Sequence, residues 1–203
     1  MTQRYTSRFS DALTYAAQVH RNQLRKGTEV PYVGHLLGVA SIVIDSGGNE
    51  DEAIAALLHD APEDHGGQAL LDEIRELFGD RVAEIVEACS DSLAADPAAK
   101  QPWRERKEAY VEHVRACTDP SVYLVSAADK LHNCRSSLLD LRARGDRLWE
   151  RFNPAAGRDG TLWYYHALLD AYDRGPADPR RGAVVDELRR TVEALERESR
   201  AQR

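Results

Sequence analysis

A chain of 203 residues is long enough for one domain with a substantial core, and 42% hydrophobic with 30% charged residues excludes wholesale disorder. Thirty-four acidic against 27 basic residues give a formal charge of −7, which disfavours a general nucleic-acid-binding surface but permits an anionic small molecule held by a local basic cluster. No stretch resembles a membrane span or a signal peptide, and Cys89, Cys117 and Cys134 fit neither a zinc ribbon nor a disulfide framework, so a cytoplasmic protein with reduced thiols is expected.

Phe9, Leu13, Ala16, Ala17, His20 and Leu24 recur at helical spacing and predict a first helix from about Ser7 to Lys26. It ends at Arg25-Lys26-Gly27, where the basic pair either caps the helix or binds an anion at the lip of a pocket. Pro31 opens a second helix with His35 among Leu36, Val39, Ala40 and Val43. A histidine in such surroundings is a hydrogen-bonded core residue or a ligand, and its partners decide which.

After Gly47-Gly48 a third helix starts near Asn49-Glu50-Asp51 and delivers Ile54, Leu57 and Leu58 to the core before reaching His59-Asp60-Ala-Pro62-Glu63-Asp64. Pro62 opposes the carbonyl of Leu58, so the helix is expected to stop or kink at His59-Asp60, leaving Glu63-Asp64 on the following turn, ahead of a Gly66-Gly67 loop. Imidazole and carboxylate together suit Mn²⁺, Fe²⁺ or Zn²⁺, and a further acid pair can handle the water such a cation activates. Taken alone, the same residues also read as an acidic, exposed helix terminus.

Two scaffold helices follow, through Leu70–Phe78 and Arg81–Cys89, then a surface loop at 94–102 and an amphipathic helix from Trp103 to Ala116. The helix from Ser121 is mostly apolar, with Asp129, Asn133 and Ser136 four and then three residues apart as one polar stripe. A buried aspartate there needs a salt bridge or a metal, because burying an unpaired carboxylate is costly. A turn at 149–154 leads to an aromatic helix containing Leu162, Tyr164, Tyr165 and Tyr172, whose tyrosines, with Arg151 and Arg158, are candidates for a pocket edge. A final amphipathic helix with Val184, Val185, Leu188, Val192 and Leu195 either docks on the domain or meets a partner. No strand pattern or repeat appears; the expected fold is all-α, with residues 1–175 as one unit and 176–203 as a C-terminal helix.

Together, His35, His59-Asp60 and Asp129 occur in the order and spacing of a histidine-aspartate (HD) phosphohydrolase. More narrowly, residues 8–172 resemble the hydrolase domain of the RelA/SpoT-type alarmone enzymes and their single-domain small alarmone hydrolases. The strongest points are Arg25-Lys26-Gly27 ahead of Pro31-Tyr32 and His35, the block from His59 to Asp64, and Ala128-Asp129-Lys-Leu-His-Asn133. The resemblance implies an HD-type helical bundle, a divalent metal, usually Mn²⁺, on His35, His59, Asp60 and Asp129, and water activation by Glu63 and Asp64. It implies nucleotide contacts from Arg25, Lys26 and Asn133, with Ser136 by the base or sugar. Leu36 stands where many relatives have proline, and Ala61-Pro62 replaces a commoner aliphatic pair; neither change removes a ligand.

The activity so implied is metal-dependent removal of pyrophosphate from guanosine 3′-diphosphate 5′-di- or triphosphate. The partner is a small-molecule nucleotide, with no membrane and no general nucleic-acid binding, and a homo-oligomer is compatible. A different HD enzyme, such as a nucleotidase, a cyclic-nucleotide phosphodiesterase or a hydrolase of adenosine alarmones or NADPH, would share the metal residues and differ at Arg25, Lys26, Asn133 and Ser136. A catalytically silent nucleotide sensor is disfavoured by the presence of all four ligands and both acids. A purely structural scaffold leaves the coincident polar residues unexplained.

Overall fold

The computed structural model describes residues 5–94, 101–152, 154–175 and 178–201. Helix α1 spans Ser7–Val19, α2 Val33–Asp45 and α3 Glu50–Leu58; a π-helical turn at Pro62–Gly66 joins α3 to α4, Gly67–Phe78. Then come α5 at Asp80–Cys89, α6 at Trp103–Ala116, α7 at Pro120–Arg144, a 3₁₀ segment at Gly145–Arg151, α8 at Gly157–Asp173 and α9 at Pro179–Ala201. Among the described residues the only strand-like pairing is an isolated bridge between Leu24 and Pro31, so the fold is all-α as the sequence predicts. No helix among them is long and apolar enough to cross a membrane. Most of the predicted loop at 94–102, and part of the connection at 175–179, lie outside the described residues.

Helix α7 is the axis of the fold. Its first half, Ser121 to Asp129, is buried on every side, which a helix tolerates only at the centre of a bundle. It packs against α2, α3, α5 and α9, so the side chains that α2, α3 and α7 turn inward share one space. That shared space becomes the site.

Helix α3 starts with a capping box: Glu52 N–H donates to the Asn49 side chain at 2.9 Å, and Asn49 N–H donates to Glu52 Oε2 at 2.7 Å. Glu52 is only 1% exposed, and its carboxylate also accepts from Ser121 Oγ at 2.8 Å and Arg180 Nη1 at 2.9 Å, tying the starts of α3, α7 and α9 together. Arg180→Ala would strand this buried carboxylate. The expected loss is about 2–4 kcal/mol, discounted because the guanidinium is partly solvated, and adding Glu52→Gln should recover part of it in urea unfolding. A fully stable Arg180→Ala protein would show that the link contributes nothing.

The first helix ends earlier than its periodicity predicts. After Val19 the chain leaves the helix and returns in a tight excursion, with Arg25 N–H donating to Val30 O at 2.8 Å and Tyr32 N–H to Gln23 O at 2.9 Å. Gly27 sits at its tip with φ +69°, a conformation that costs glycine little and other residues more. Arg25 and Lys26 therefore cap no helix. The excursion carries Gln23 to the π-helical turn and Arg25 to α7.

Candidate metal centre and active site

Helix α2 supplies His35, the C-terminus of α3 supplies His59 and Asp60, and α7 supplies Asp129. One ligand atom each from His35, His59 and Asp129 fall within 4.8 Å of one another, and all three residues are buried. His35 Nε2 is 3.2 Å from Asp129 Oδ1 and 3.4 Å from Asp60 Oδ2; His59 Nε2 is 3.0 Å from Asp60 Oδ2 and 3.6 Å from Asp129 Oδ1.

The hydrogen bonds show what this cluster lacks. His59 Nδ1–H donates to Ala56 O at 2.8 Å, which leaves Nε2 as a lone pair when the ring is neutral. His35 Nδ1 lies 2.8 Å from His132 Nδ1. Burial, with His35 beside it, pushes His132 down to about 4, so at neutral pH it is uncharged and its Nδ1 can accept a hydrogen bond from His35 Nδ1–H. Both Nε2 atoms are buried without a hydrogen-bond partner. Two lone pairs and two carboxylates thus converge on one point, and only a cation or a trapped proton relieves the repulsion. Nitrogen and oxygen donors of this kind fit a divalent transition metal.

Without a cation the proton takes that place. Burial disfavours charge on His59, but the Asp60 and Asp129 carboxylates outweigh it and hold the imidazole well above its usual range. Burial likewise works against ionised Asp60 and Asp129; His59 and His35 hold Asp60 well below the usual carboxylate range, and Lys130 with both imidazoles does the same for Asp129. Lys130 Nζ meets Asp129 Oδ2 at 2.5 Å, while Asn133 Nδ2 donates to Oδ1 at 2.6 Å. Asp129 therefore has a salt bridge on one oxygen and offers the other to the cluster.

His132 reaches His35 because α2 presents Gly38 where the helices cross. A Cβ at Gly38 would overlap the His132 ring. Gly38→Ala should favour the helix slightly yet weaken metal binding about 10–100-fold, as loss of an outer partner of a ligating histidine does. Competition with a chromogenic chelator measures this, and unchanged affinity would remove His132 from the role.

Glu63 and Asp64 sit together on the π-helical turn and face different neighbours. Glu63 Oε2 accepts from Asp91 N–H at 3.3 Å, and Oε1 is 3.7 Å from Arg106 Nη1. Burial and the adjacent Asp91 push the Glu63 carboxyl up to about 7. Burial opposes ionisation of Asp91 too, but Lys107, at 2.5 Å from its Oδ2, and Arg106 draw it down to about 2. One acid of the pair is thus permanently charged and the other titrates near neutrality, which suits a proton acceptor. Asp64 accepts from Gln23 Nε2 at 2.7 Å, and Tyr32 OH donates to Asp60 Oδ2 at 2.6 Å.

Beside the cluster opens a cleft of about 210 Å³ lined by Arg25, Lys107, Lys130 and Asn133, with Trp103 and Tyr164 among its walls. Arg25 Nη2 donates to Asn133 Oδ1 at 2.9 Å, so the cleft is wired through Asn133 to Asp129. Ser137 rather than Ser136 lines it; Ser136 is half-buried on the same helix. Lys26 is exposed, and its carbonyl accepts from Arg151 Nε at 2.8 Å. Sequence reasoning missed Asp91, Arg106, Lys107, Lys130 and His132. Of these only His132 carried a readable signal, standing three residues after Asp129 on the same helical face.

A family model described as HD domain matches residues 12–162. Guanosine-3′,5′-bis(diphosphate) 3′-pyrophosphohydrolase MESH1 of Xenopus tropicalis is 41% identical over 128 residues, 62% of this chain and 66% of that protein. The Homo sapiens MESH1 is 39% identical over 128 residues, again 62% of this chain and 66% of its own length. The match thus spans just under two-thirds of these relatives. A solved structure of a metazoan SpoT ortholog, described as hydrolysing ppGpp and acting in starvation responses, superposes with a TM-score of 0.69 at 26% identity, covering 91% of this chain and 95% of that one.

Proposed function

The chain belongs to the HD-domain family, and from that premise we propose that it removes pyrophosphate from guanosine 3′-diphosphate 5′-di- or triphosphate, giving GDP or GTP. The observation that carries the reading is the pair of buried, partnerless imidazole nitrogens on His35 and His59 facing the Asp60 and Asp129 carboxylates, a donor set that needs a cation. We assign that cation to Mn²⁺, held by these four residues. The named relatives at 41% and 39% identity support the alarmone substrate.

When bound, the cation supplies charge for the phosphoryl oxygens and acidifies the attacking water. The protein does the rest. Glu63, ionised above about pH 7, accepts the proton of that water, and Asp64 orients it. Arg25 offsets the substrate's phosphates inside a protein of net charge −7, while Lys107 and Lys130, paired with Asp91 and Asp129, line the same cleft. Asn133 joins Arg25 to Asp129, so substrate and metal ligand share one hydrogen-bonded frame. Trp103 and Tyr164 offer apolar faces to the nucleoside.

Pyrophosphate release from ppGpp in Mn²⁺ tests the reading. Turnover is expected, to be lost on chelation and restored by adding Mn²⁺ back, with adenosine alarmones and NADPH turned over more slowly. A folded, metal-loaded protein that leaves ppGpp intact would sink it, and tight binding without turnover would make the protein a sensor.

A further inference from the structure

One polar cluster beside the metal centre meets the chemistry above only through Asp64. The Gln23 side-chain oxygen lies 2.6 Å from His20 Nδ1 and 2.6 Å from His65 Nε2, and its amide nitrogen donates to Asp64 Oδ2 at 2.7 Å. These contacts fix the orientation of the amide. An ionised carboxylate only accepts, so the nitrogen must face Asp64; the oxygen then faces both rings, and both rings must present N–H. Flipping the amide would set oxygen against carboxylate and N–H against N–H at once.

The rings themselves are held. His20 is 2% exposed and stacks on Tyr32 with centroids 5.2 Å apart and planes 17° apart, while His65 meets it edge-on at 4.7 Å. Burial lowers the His20 pKa, in keeping with a neutral ring whose proton is on Nδ1. Tyr32 in turn holds Asp60 through its hydroxyl. Two imidazoles therefore hold the amide oxygen, and one of the two N–H groups on the amide nitrogen points at Asp64.

We propose that Gln23 is a positioning residue which, clamped by His20 and His65, aims the Asp64 carboxylate at the attacking water. The inference rests on the hydrolase reading above. A purely structural alternative gives Gln23 only the task of holding the two rings. Gln23→Glu separates them, because a carboxylate still accepts from both rings but can no longer donate to Asp64.

The test compares kcat and KM for ppGpp in wild type, Gln23→Glu and Gln23→Leu, each with and without Asp64→Asn, after thermal melts confirm folding. Both Gln23 variants should lose about 10–100-fold in kcat with KM within about 2-fold of wild type, the size expected when a working group is slightly misaimed. In the Asp64→Asn background the Gln23→Leu change should cost almost nothing more. Wild-type kcat in Gln23→Glu, or an undiminished Gln23→Leu effect in that background, overturns the proposal. If wild type does not turn over ppGpp, the hydrolase reading fails separately. The contact is then judged by carboxyl ¹³C titration of the Zn²⁺-loaded full chain: a higher Asp64 pKa in Gln23→Leu sustains the clamp, and an unchanged one ends it.

Discussion

If the proposed activity is present, Asp129→Ala is expected to lower it by at least about 10³-fold, because the change takes away charge from the cluster proposed to hold the cation. Its Oδ1 faces both imidazoles and accepts from Asn133, and its Oδ2 neutralises Lys130. Alanine therefore strands a buried ammonium and frees the Asn133–Arg25 link together with the ligand. Asp129→Asn is the needed control: it keeps the volume and one acceptor oxygen but not the charge, and should also lose the metal while folding better than the alanine variant. Metal content per chain and turnover, measured on the same samples, decide the matter. Either variant with full metal and full activity would refute the assignment of Asp129.

The same cluster makes stability depend on pH in opposite directions with and without metal. In the metal-free protein the folded pKa of His59 lies above its unfolded value. Its contribution to stability is thus fully present below about 6.5, the ordinary histidine value, and is lost as pH rises through the raised folded value. Binding a cation displaces that proton, so metal affinity, and with it the stability of the loaded protein, increases with pH. Melting curves with and without Mn²⁺ should therefore diverge as pH rises.

How much of this was legible in the sequence differs by layer. The all-α fold followed from apolar residues at helical spacing, and α6 begins and ends at the residues predicted. The break after His59 followed from Pro62, although the chain then continues through a π-helical turn into α4 where a glycine loop was expected. The end of α1 was misread because Leu24 keeps the helical spacing, while the Leu24–Pro31 bridge that overrides it involves a residue beyond the window. At the site, His35, His59 and Asp129 were readable as a set, and the structure brings them together. Asp91 and Lys107 were not. They are far apart in the sequence with no shared periodicity, and their meeting beside Glu63 depends on tertiary packing, which no local spacing encodes.

Glu63→Gln should separate activity from stability. The carboxyl is half-buried beside the charged Asp91, and desolvation with that neighbour pushes it up to about 7, so below that pH a growing share of the protein holds a protonated Glu63 that cannot accept from water. Wild-type kcat is expected to rise with pH through this region, with the bound cation drawing the limb lower. Glutamine keeps the shape but cannot take a proton, so kcat should fall about 10²–10⁴-fold and the limb should vanish. Stability moves the other way. The folded pKa of Glu63 lies above its unfolded value, so ionising it at pH 8 opposes folding, and its contribution is present only at low pH and lost as pH rises toward 7. A neutral amide escapes that cost. The variant should melt higher than wild type at pH 8, by about 2–4 °C for each kcal/mol relieved, with the difference shrinking toward pH 5. An inactive variant that melts lower at pH 8 would mean that Glu63 serves the fold through its contacts with Asp91 and Arg106; an active one would move the proton acceptor elsewhere. An inactive variant more stable than its parent is the outcome expected if this raised-pKa carboxyl is the proposed proton acceptor.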